Sequence, residues 1–491
     1  MTTHLKGFGL ENFRVFKDYT WFDFAPITIL TGTNNSGKSS LLKAFLLLKD
    51  NFDKGLLPPK FESTYNGYSD NRIVTDMNEN GFVFAEATIE PLYYEFFTPK
   101  SFEFNGNIHG LNSPKGTKFR GGSNSEIYFE IPYEVNKKTL IYKIILKINP
   151  EKDEATINYK IEIFDSNTSD KKTVLKIETN SIFFNIEFYN GIVSEQSKIT
   201  NIPKGFKNET YSAAGVSFQY WFSENQFEGD SQKLAEKVLS AIGINENIDG
   251  SYSCKFIENY FKRVDYWANS QNEQKRIYTE SDSSKFKQLL IDFHKASQNK
   301  EVQNVFEGFT KYFGIQGKIG SLFNQEQGSY FPNIDGFALT NFGYGYTQLI
   351  SLFFKLMIHV HKNQVTYNGE IFEDDSILML EEPEINLHPN LQSKLADLFS
   401  SISKQTNTQF LIETHSEYMI RKFQYLVLKG ELRPEDIVIY YFKDPNDTSD
   451  EPLVKKINIQ KDGRLTGGFG KGFLDEAGRL MASLLTGEYL N

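Results

Sequence analysis

Thr28 to Ala44 reads TILTGTNNSGKSSLLKA, and Gly32 to Ser39 within it satisfies G-x-x-x-x-G-K-[ST], the pattern of a loop that wraps nucleotide phosphates. Gly32 and Gly37 let the backbone turn tightly enough for successive N–H groups to point inward at an anion. Asn34, Asn35, Ser36 and Ser40 complete the expected cradle, Lys38 supplies a mobile positive charge, and Ser39 would ligate Mg²⁺ through its hydroxyl. The preceding run, Ile27 to Leu30, is short and apolar with two β-branched isoleucines, as a buried parallel strand should be. Afterwards Leu41, Leu42, Phe45 and Leu46 recur at helical spacing, so the loop opens a helix whose positive end faces the phosphates. The chain is therefore read first as a nucleoside triphosphate binder.

A second polar group stands far along the sequence. Ile377 to Leu380 is an apolar strand running directly into Glu381, Glu382, Pro383 and Glu384, which sets two adjacent carboxylates at the carboxyl end of a buried strand. Open α/β sheets bind their ligands at that end. Glu381 is assigned to the Mg²⁺ shell and Glu382 to polarising the attacking water. Phe410 to Ile412 is another apolar strand, ending in Glu413, Thr414, His415 and Ser416, and His415 is expected to project toward the γ-phosphate. The bland alternatives are a surface acidic turn and an ordinary satisfied histidine.

Composition bounds what else the chain does. Its 491 residues allow two to four domains or one large core with an insertion. A formal charge of −10 argues against coating nucleic acid by bulk charge, though a local basic groove is compatible with it. One cysteine, Cys254, excludes an internal disulfide and a thiolate metal cage. No apolar stretch approaches the roughly 18 residues that span a bilayer, and the charged first 25 residues lack a secretory core, so a cytoplasmic protein without membrane contact is expected.

The intervening sequence changes period. Glu126–Tyr133, Thr139–Ile148, Thr156–Phe164 and Ser181–Phe188 alternate as antiparallel strands. Leu234 to Ile242, Phe256 to Val264 and Phe286 to Phe293 carry helical spacing instead. After Phe331 the α/β pattern resumes, with helices expected over Thr347–His361 and Asn390–Ser401 and strands over Ile377–Leu380 and Gln409–Ile412. The expected organisation is residues 1–84 as the first part of a nucleotide-binding head, 85–229 as a β-rich lobe, 230–330 as a helical insertion, 331–466 as the second part of the head, and 467–491 as an amphipathic tail helix. That helix, carrying Phe473, Ala477, Leu480, Met481, Leu484 and Leu485, is expected to pack on its own domain, with partner docking as the alternative. His359 and His361 point apart on their helix and are assigned no metal.

Glu381 to Pro389 (EEPEINLHP), Glu413 to Glu417 (ETHSE) and Gly32 to Ser40 (GTNNSGKSS), with the opening Leu10 to Phe16 (LENFRVF), resemble the ABC-type ATPase heads of the RecF, SMC and OLD group. The resemblance implies a P-loop α/β fold, ATP and Mg²⁺ as ligands, and catalytic roles for Glu382, His415 and Lys38. It also implies a signature loop, for which Asn341 to Leu349 (NFGYGYTQL) is the candidate, with Gly343, Gly345 and Thr347 as nucleotide contacts and Thr347 where serine is usual. In the family that loop completes the site of the opposite subunit, so a homodimer with ATP sandwiched between heads is implied. Asn386, Leu387 and His388 match the loop that communicates between the two sites, and Arg14 is a further candidate for nucleotide contact.

One family part is missing: no glutamine occurs before Gln196, where the family places a metal-contacting one, and Asp70 and Asn71 are possible substitutes. The leading expectation is an ATPase whose dimer cycle regulates DNA transactions or an effector protein encoded nearby, in DNA repair or anti-phage defence. The alternatives are an OLD-like nuclease and a nucleotide-gated scaffold with negligible hydrolysis.

Overall fold

The computed structural model describes residues 4–54, 125–135, 138–149, 154–164, 171–179, 184–188, 244–246, 252–254, 260–268, 285–324, 329–367, 370–373, 376–444, 446–447, 451–470 and 476–486, with Phe104, Ser113 and 117–119. Asp70 and Asn71, the expected helix at Leu234–Ile242 and Phe473 lie outside the described residues.

The chain opens with β1 (Gly7–Glu11), β2 (Thr20–Asp23) and β3 (Ile27–Gly32), followed by α1 (Lys38–Asp53). Five long antiparallel strands come next: β4 (Glu126–Val135), β5 (Lys138–Asn149), β6 (Glu154–Phe164), β7 (Lys171–Thr179) and β8 (Phe184–Phe188). They do not form a separate sheet. β1 pairs with both β2 and β4, giving one seven-stranded sheet in the order β2-β1-β4-β5-β6-β7-β8, so the β-rich lobe begins within the first residues of the chain.

A short hairpin of β9 (Ile244–Glu246) and β10 (Tyr252–Cys254) precedes β11 (Val264–Ala268). Helical spacing from Phe256 predicts Val264 in a helix, yet it opens a strand that joins the nucleotide-binding sheet. α2 (Lys285–Ala296) and α3 (Lys300–Tyr312) follow, then the antiparallel strands β12 (Ile319–Asn324), β13 (Ser329–Ile334) and β14 (Phe337–Ala338). α4 (Tyr344–Asn363) and the hairpin β15 (Gln364–Tyr367) and β16 (Glu370–Glu373) lead into β17 (Ser376–Glu381). The remainder is α5 (Pro389–Thr406), β18 (Thr408–Glu413), α6 (Glu417–Leu428), β19 (Ile437–Phe442), β20 (Val454–Ile457) and α7 (Glu476–Thr486).

Six strands from distant parts of the sequence make the second large sheet, in the order β11-β17-β18-β3-β19-β20, parallel throughout except for β20. Both faces are buried, which is why its central strands read as unbroken apolar runs. Leu30, Met379, Leu411 and Tyr440 pack into a core shared with α1 and the antiparallel sheet. Ile29, Leu378, Leu380, Phe410 and Ile412 face the other way, into a core with α2 to α6. Phe293 of α2 stacks on Phe354 of α4 with ring centroids 3.9 Å apart, fixing the helical layer to itself. The tail helix departs from expectation: Leu484 and Leu485 are each 81 % exposed, so among the described residues nothing covers that apolar stripe.

A buried polar network locks β11 and β17 to α4. His359 is fully buried, its Nδ1 2.8 Å from Asp265 Oδ2 and its Nε2 2.9 Å from Ser376 Oγ, while Lys355 Nζ donates to Asp265 Oδ1 at 2.6 Å. The order Asp–His–Ser is that of a nucleophilic triad, but Ser376 is itself buried at the start of β17, opposite the strand end where ligands bind, so the group is structural. Burial raises the Asp265 carboxyl, and its hydrogen bond to His359 with the neighbouring charges of His359 and Lys355 overcomes this, holding it well below the usual range. Asp265→Ala strands Lys355 beside a buried imidazole and is expected to cost about 3 kcal/mol, read as a lowered thermal unfolding midpoint.

Gly32 tests the sheet at its centre. It has φ of 135°, and a Cβ there would run into the Phe442 carbonyl oxygen on β19. Gly32→Ala is expected to force β3 from β19, costing about 1–3 kcal/mol and weakening nucleotide binding in the same preparation. Wild-type stability and binding in that variant would refute the close approach.

Candidate nucleotide site

The glycine-rich loop leaves β3 at Gly32 and enters α1 at Gly37, whose φ of 106° only glycine adopts readily. A Cβ at Gly37 would also overlap Val15 Cγ2 from the β1–β2 turn. No side chain caps α1 and no acid occupies its first turn, so the amides that begin the helix present their positive field to an anion. Lys38 is 3 % exposed and donates through Nζ to Thr33 O at 2.6 Å and Gly32 O at 3.3 Å. Burial lowers its pKa, with Glu413 and Glu382 acting against the shift. Ser36 is buried and braces the loop by donating to Thr33 O at 2.7 Å, whereas Asn34 and Asn35 are exposed at its tip. Arg14 reaches the loop's far end, donating from Nε to Ser40 Oγ at 3.1 Å.

The acids arrive on the neighbouring strands. β18 lies between β17 and β3, and the register sets Glu381 opposite Glu413 and Glu413 opposite Leu30. Ser39 Oγ donates to Glu413 Oε1 at 3.0 Å, joining the phosphate loop to the end of β18. Burial and then the neighbouring Glu381 push the Glu413 carboxyl up to about 7. Glu381 is raised by burial and restrained by a hydrogen bond from the Tyr266 phenol on β11 and by the charge of Lys43. Glu381 Oε1 and Glu413 Oε2 are buried and have no hydrogen-bond partner. Oxygen donors of this hardness beside a serine hydroxyl fit Mg²⁺, which takes one or two carboxylates plus substrate phosphates. Ser39 and Glu381, the sequence-assigned ligands, and Glu413 are the side chains able to hold it.

Glu382 begins the turn after β17 with φ of 45°, a left-handed conformation uncommon for a residue with a side chain. Its N–H donates to Glu413 O at 2.8 Å, and its carboxylate lies 3.7 Å from His415 Nε2. Glu384 is buried, and its Oε1 accepts the His415 backbone N–H at 2.7 Å, so the third acid of the run positions the histidine. Ser416 then caps α6 through the Met419 N–H at 3.1 Å. Burial, followed by the charge of Lys38, lowers the His415 pKa despite Glu382, which favours the neutral imidazole.

The sequence-assigned groups therefore meet: Lys38 and Ser39 on α1, Glu381 at the end of β17 and Glu382 just after it, and His415 after β18. The signature candidate differs in detail. α4 begins at Tyr344, so Gly345 lies inside its first turn instead of preceding it, and Thr347 ends that turn instead of opening the helix. Thr347 is buried and its hydroxyl donates to Tyr344 O at 2.8 Å, turned back onto its own helix. Gly343 has open space around it, while a Cβ at Gly345 would overlap Asn386 O, so this helix abuts the loop after the paired acids. His388 caps α5, accepting the Asn390 N–H through Nδ1 at 3.3 Å. Sequence reading missed Glu413, Glu384 and Tyr266. Aligning the apolar runs of β17 and β18 would have found Glu413, because their last residues are register partners.

Residues 4–420 match the AAA ATPase domain family, and residues 432–484 match a family described only as a protein of unknown function, DUF3696. Endonuclease GajA of Bacillus cereus (strain HuB5-5) is 21 % identical over 428 residues, covering 81 % of this chain and 53 % of that protein, so the chain spans about half the length of this curated relative. Among solved structures, the SMC head domain from Thermotoga maritima aligns with a TM-score of 0.37 at 11 % identity, covering 93 % of this chain and 99 % of that one. An SmcHead bound to the C-winged helix domain of ScpA gives 0.40 at 10 % identity over 94 % and 96 %. The family match spans most of the chain, and its residues include the phosphate loop, the paired acids and His415: the protein belongs to the AAA ATPase domain family.

Proposed function

We propose that this chain binds and hydrolyses ATP with Mg²⁺, and that ATP-bound heads pair as a homodimer whose opening and closing regulates a DNA transaction or a partner effector. The observation that supports this best is the convergence of Lys38, Ser39, Glu381, Glu382 and His415 at the carboxyl ends of β3, β17 and β18. In this reading the α1 amides and Lys38 hold the β- and γ-phosphates, and Lys38 exchanges its bonds to Thr33 and Gly32 for phosphate oxygens. Mg²⁺ neutralises charge between the phosphates when bound, held by Ser39 and Glu381. Glu382 accepts a proton from the attacking water, and the left-handed backbone beneath it fixes where that carboxylate points. His415, neutral and anchored by Glu384, donates an N–H to the γ-phosphate.

The pairing of heads and an anti-phage or DNA-repair setting rest on the resemblance to the RecF, SMC and OLD group, and the relative's description as an endonuclease is compatible with a role on DNA. No helix among the described residues is long and apolar enough to cross a membrane. A second reading, that the chain itself cuts DNA, is favoured by that same description. Among the described residues no three His, Cys, Asp or Glu side chains group as a metal site.

Lys38→Ala is expected to abolish binding of a fluorescent ATP analogue. Glu382→Gln should bind ATP normally, hydrolyse it at least about a hundredfold more slowly, and accumulate dimer by light scattering. Equal turnover in Glu382→Gln and wild type would remove the base assignment. Supercoiled plasmid incubated with wild-type protein, Mg²⁺ or Mn²⁺ and ATP is expected to stay intact; nicked or linear product lost in a Lys38→Ala control would favour the nuclease reading.

A further inference from the structure

We propose that Glu413 is a third oxygen donor to the divalent cation, so that this head grips its metal with two strand-end carboxylates and the Ser39 hydroxyl. The inference rests on the ATPase reading and deepens it. Glu413 closes β18 at 6 % exposure, one of the few carboxylates buried to that degree in the described chain. Its Oε1 accepts the hydroxyl of Ser39, the residue assigned to Mg²⁺, at 3.0 Å. Its Oε2 is buried with no partner, and so is Oε1 of Glu381, the residue directly opposite in the strand register.

Two carboxylates side by side in a buried strand pair repel, and each gives up solvation it does not recover. The nearby cations do not resolve this. Lys38 Nζ is engaged by the Thr33 and Gly32 carbonyls, and Lys43 acts on Glu381 as a partly buried charge alongside Arg14. A purely structural role at this position needs only an acceptor for the Ser39 hydroxyl, which a neutral amide supplies. The second, orphaned oxygen and the matching orphan on Glu381 are what a hard dication would satisfy. The sequence before Gln196 contains no glutamine, so the donor that the family resemblance places on a separate loop is missing there, and β18 brings one in its stead.

The test uses the full chain, a non-hydrolysable ATP analogue and Mn²⁺ followed by electron paramagnetic resonance. Glu413→Gln should bind the analogue in EDTA within about twofold of wild type, since the loop and Lys38 are untouched. Mn²⁺ affinity with the analogue present should fall by about tenfold or more, the loss typical even of groups that only support a metal ligand. Its melting point in EDTA should equal or exceed that of wild type, because a like-charge pair is relieved. Glu413→Asp, which keeps the charge one methylene short, should fall between in Mn²⁺ affinity. Unchanged Mn²⁺ affinity in Glu413→Gln, or its failure to fold while Glu413→Asp folds, would overturn the proposal and leave the ATPase reading standing. Wild-type protein that binds no analogue with or without Mn²⁺ would overturn both.

Discussion

The site depends on three parallel strand ends finishing level with one another. β3 lies hundreds of residues before β17 and β18, yet the ladder sets Glu381, Glu413 and Leu30 side by side. Each strand then releases its chain at the same edge, one into the paired acids, one into His415 and one into the phosphate loop. Hydrogen bonding fixes this level to within a residue, because a slip of one position would turn every inward side chain to the opposite face. The two cores enforce it: Met379, Leu411 and Leu30 face one layer, while Leu380, Ile412 and Ile29 face the other.

What that alignment concentrates is uncompensated charge. Glu413 and Glu381 are both held above their ordinary pKa, chiefly by burial, while Lys38 is held below its own for the same reason. Groups so shifted cluster where a protein is built to receive a charged ligand. The left-handed Glu382 adds backbone strain of about 1–2 kcal/mol at the same place. In the proposed reading, a nucleotide triphosphate with a dication would supply both what the lysine lacks and what the carboxylates lack, and binding would relieve that imbalance.

Much of this was legible in order because the chemistry is local. Gly32 to Ser39 specifies its loop within eight residues, and the strands before the acids and before His415 announce themselves as apolar runs. What escaped reading depended on contacts across the sequence. Val264 sits in a stretch whose apolar spacing fits a helix, but pairing with Ile377 makes it a strand, and with it Tyr266 reaches Glu381. The signature helix begins at Tyr344, ahead of the start expected near Thr347, and Thr347 is buried within it. Glu413 and Glu384 were visible as acids, but their partners, Ser39 and the His415 amide, were not.

The antiparallel sheet is also tied to the phosphate loop more tightly than a separate lobe would be. Val15 fills the space over Gly37 that any side chain would contest, Arg14 donates to Ser40, and both sit on the turn between β1 and β2. Arg14 has φ of 53° and its N–H donates to Thr117 O at 2.8 Å, so this turn is itself held from the lobe side. β1 in turn pairs with β4 from Gly9 to Glu11, where Glu130 is buried against Lys143 and Tyr19. Close-packed interiors transmit displacement instead of absorbing it. Any shift of the Gly37 backbone therefore has to be met by Val15, and through β1 by the first strands of the long sheet.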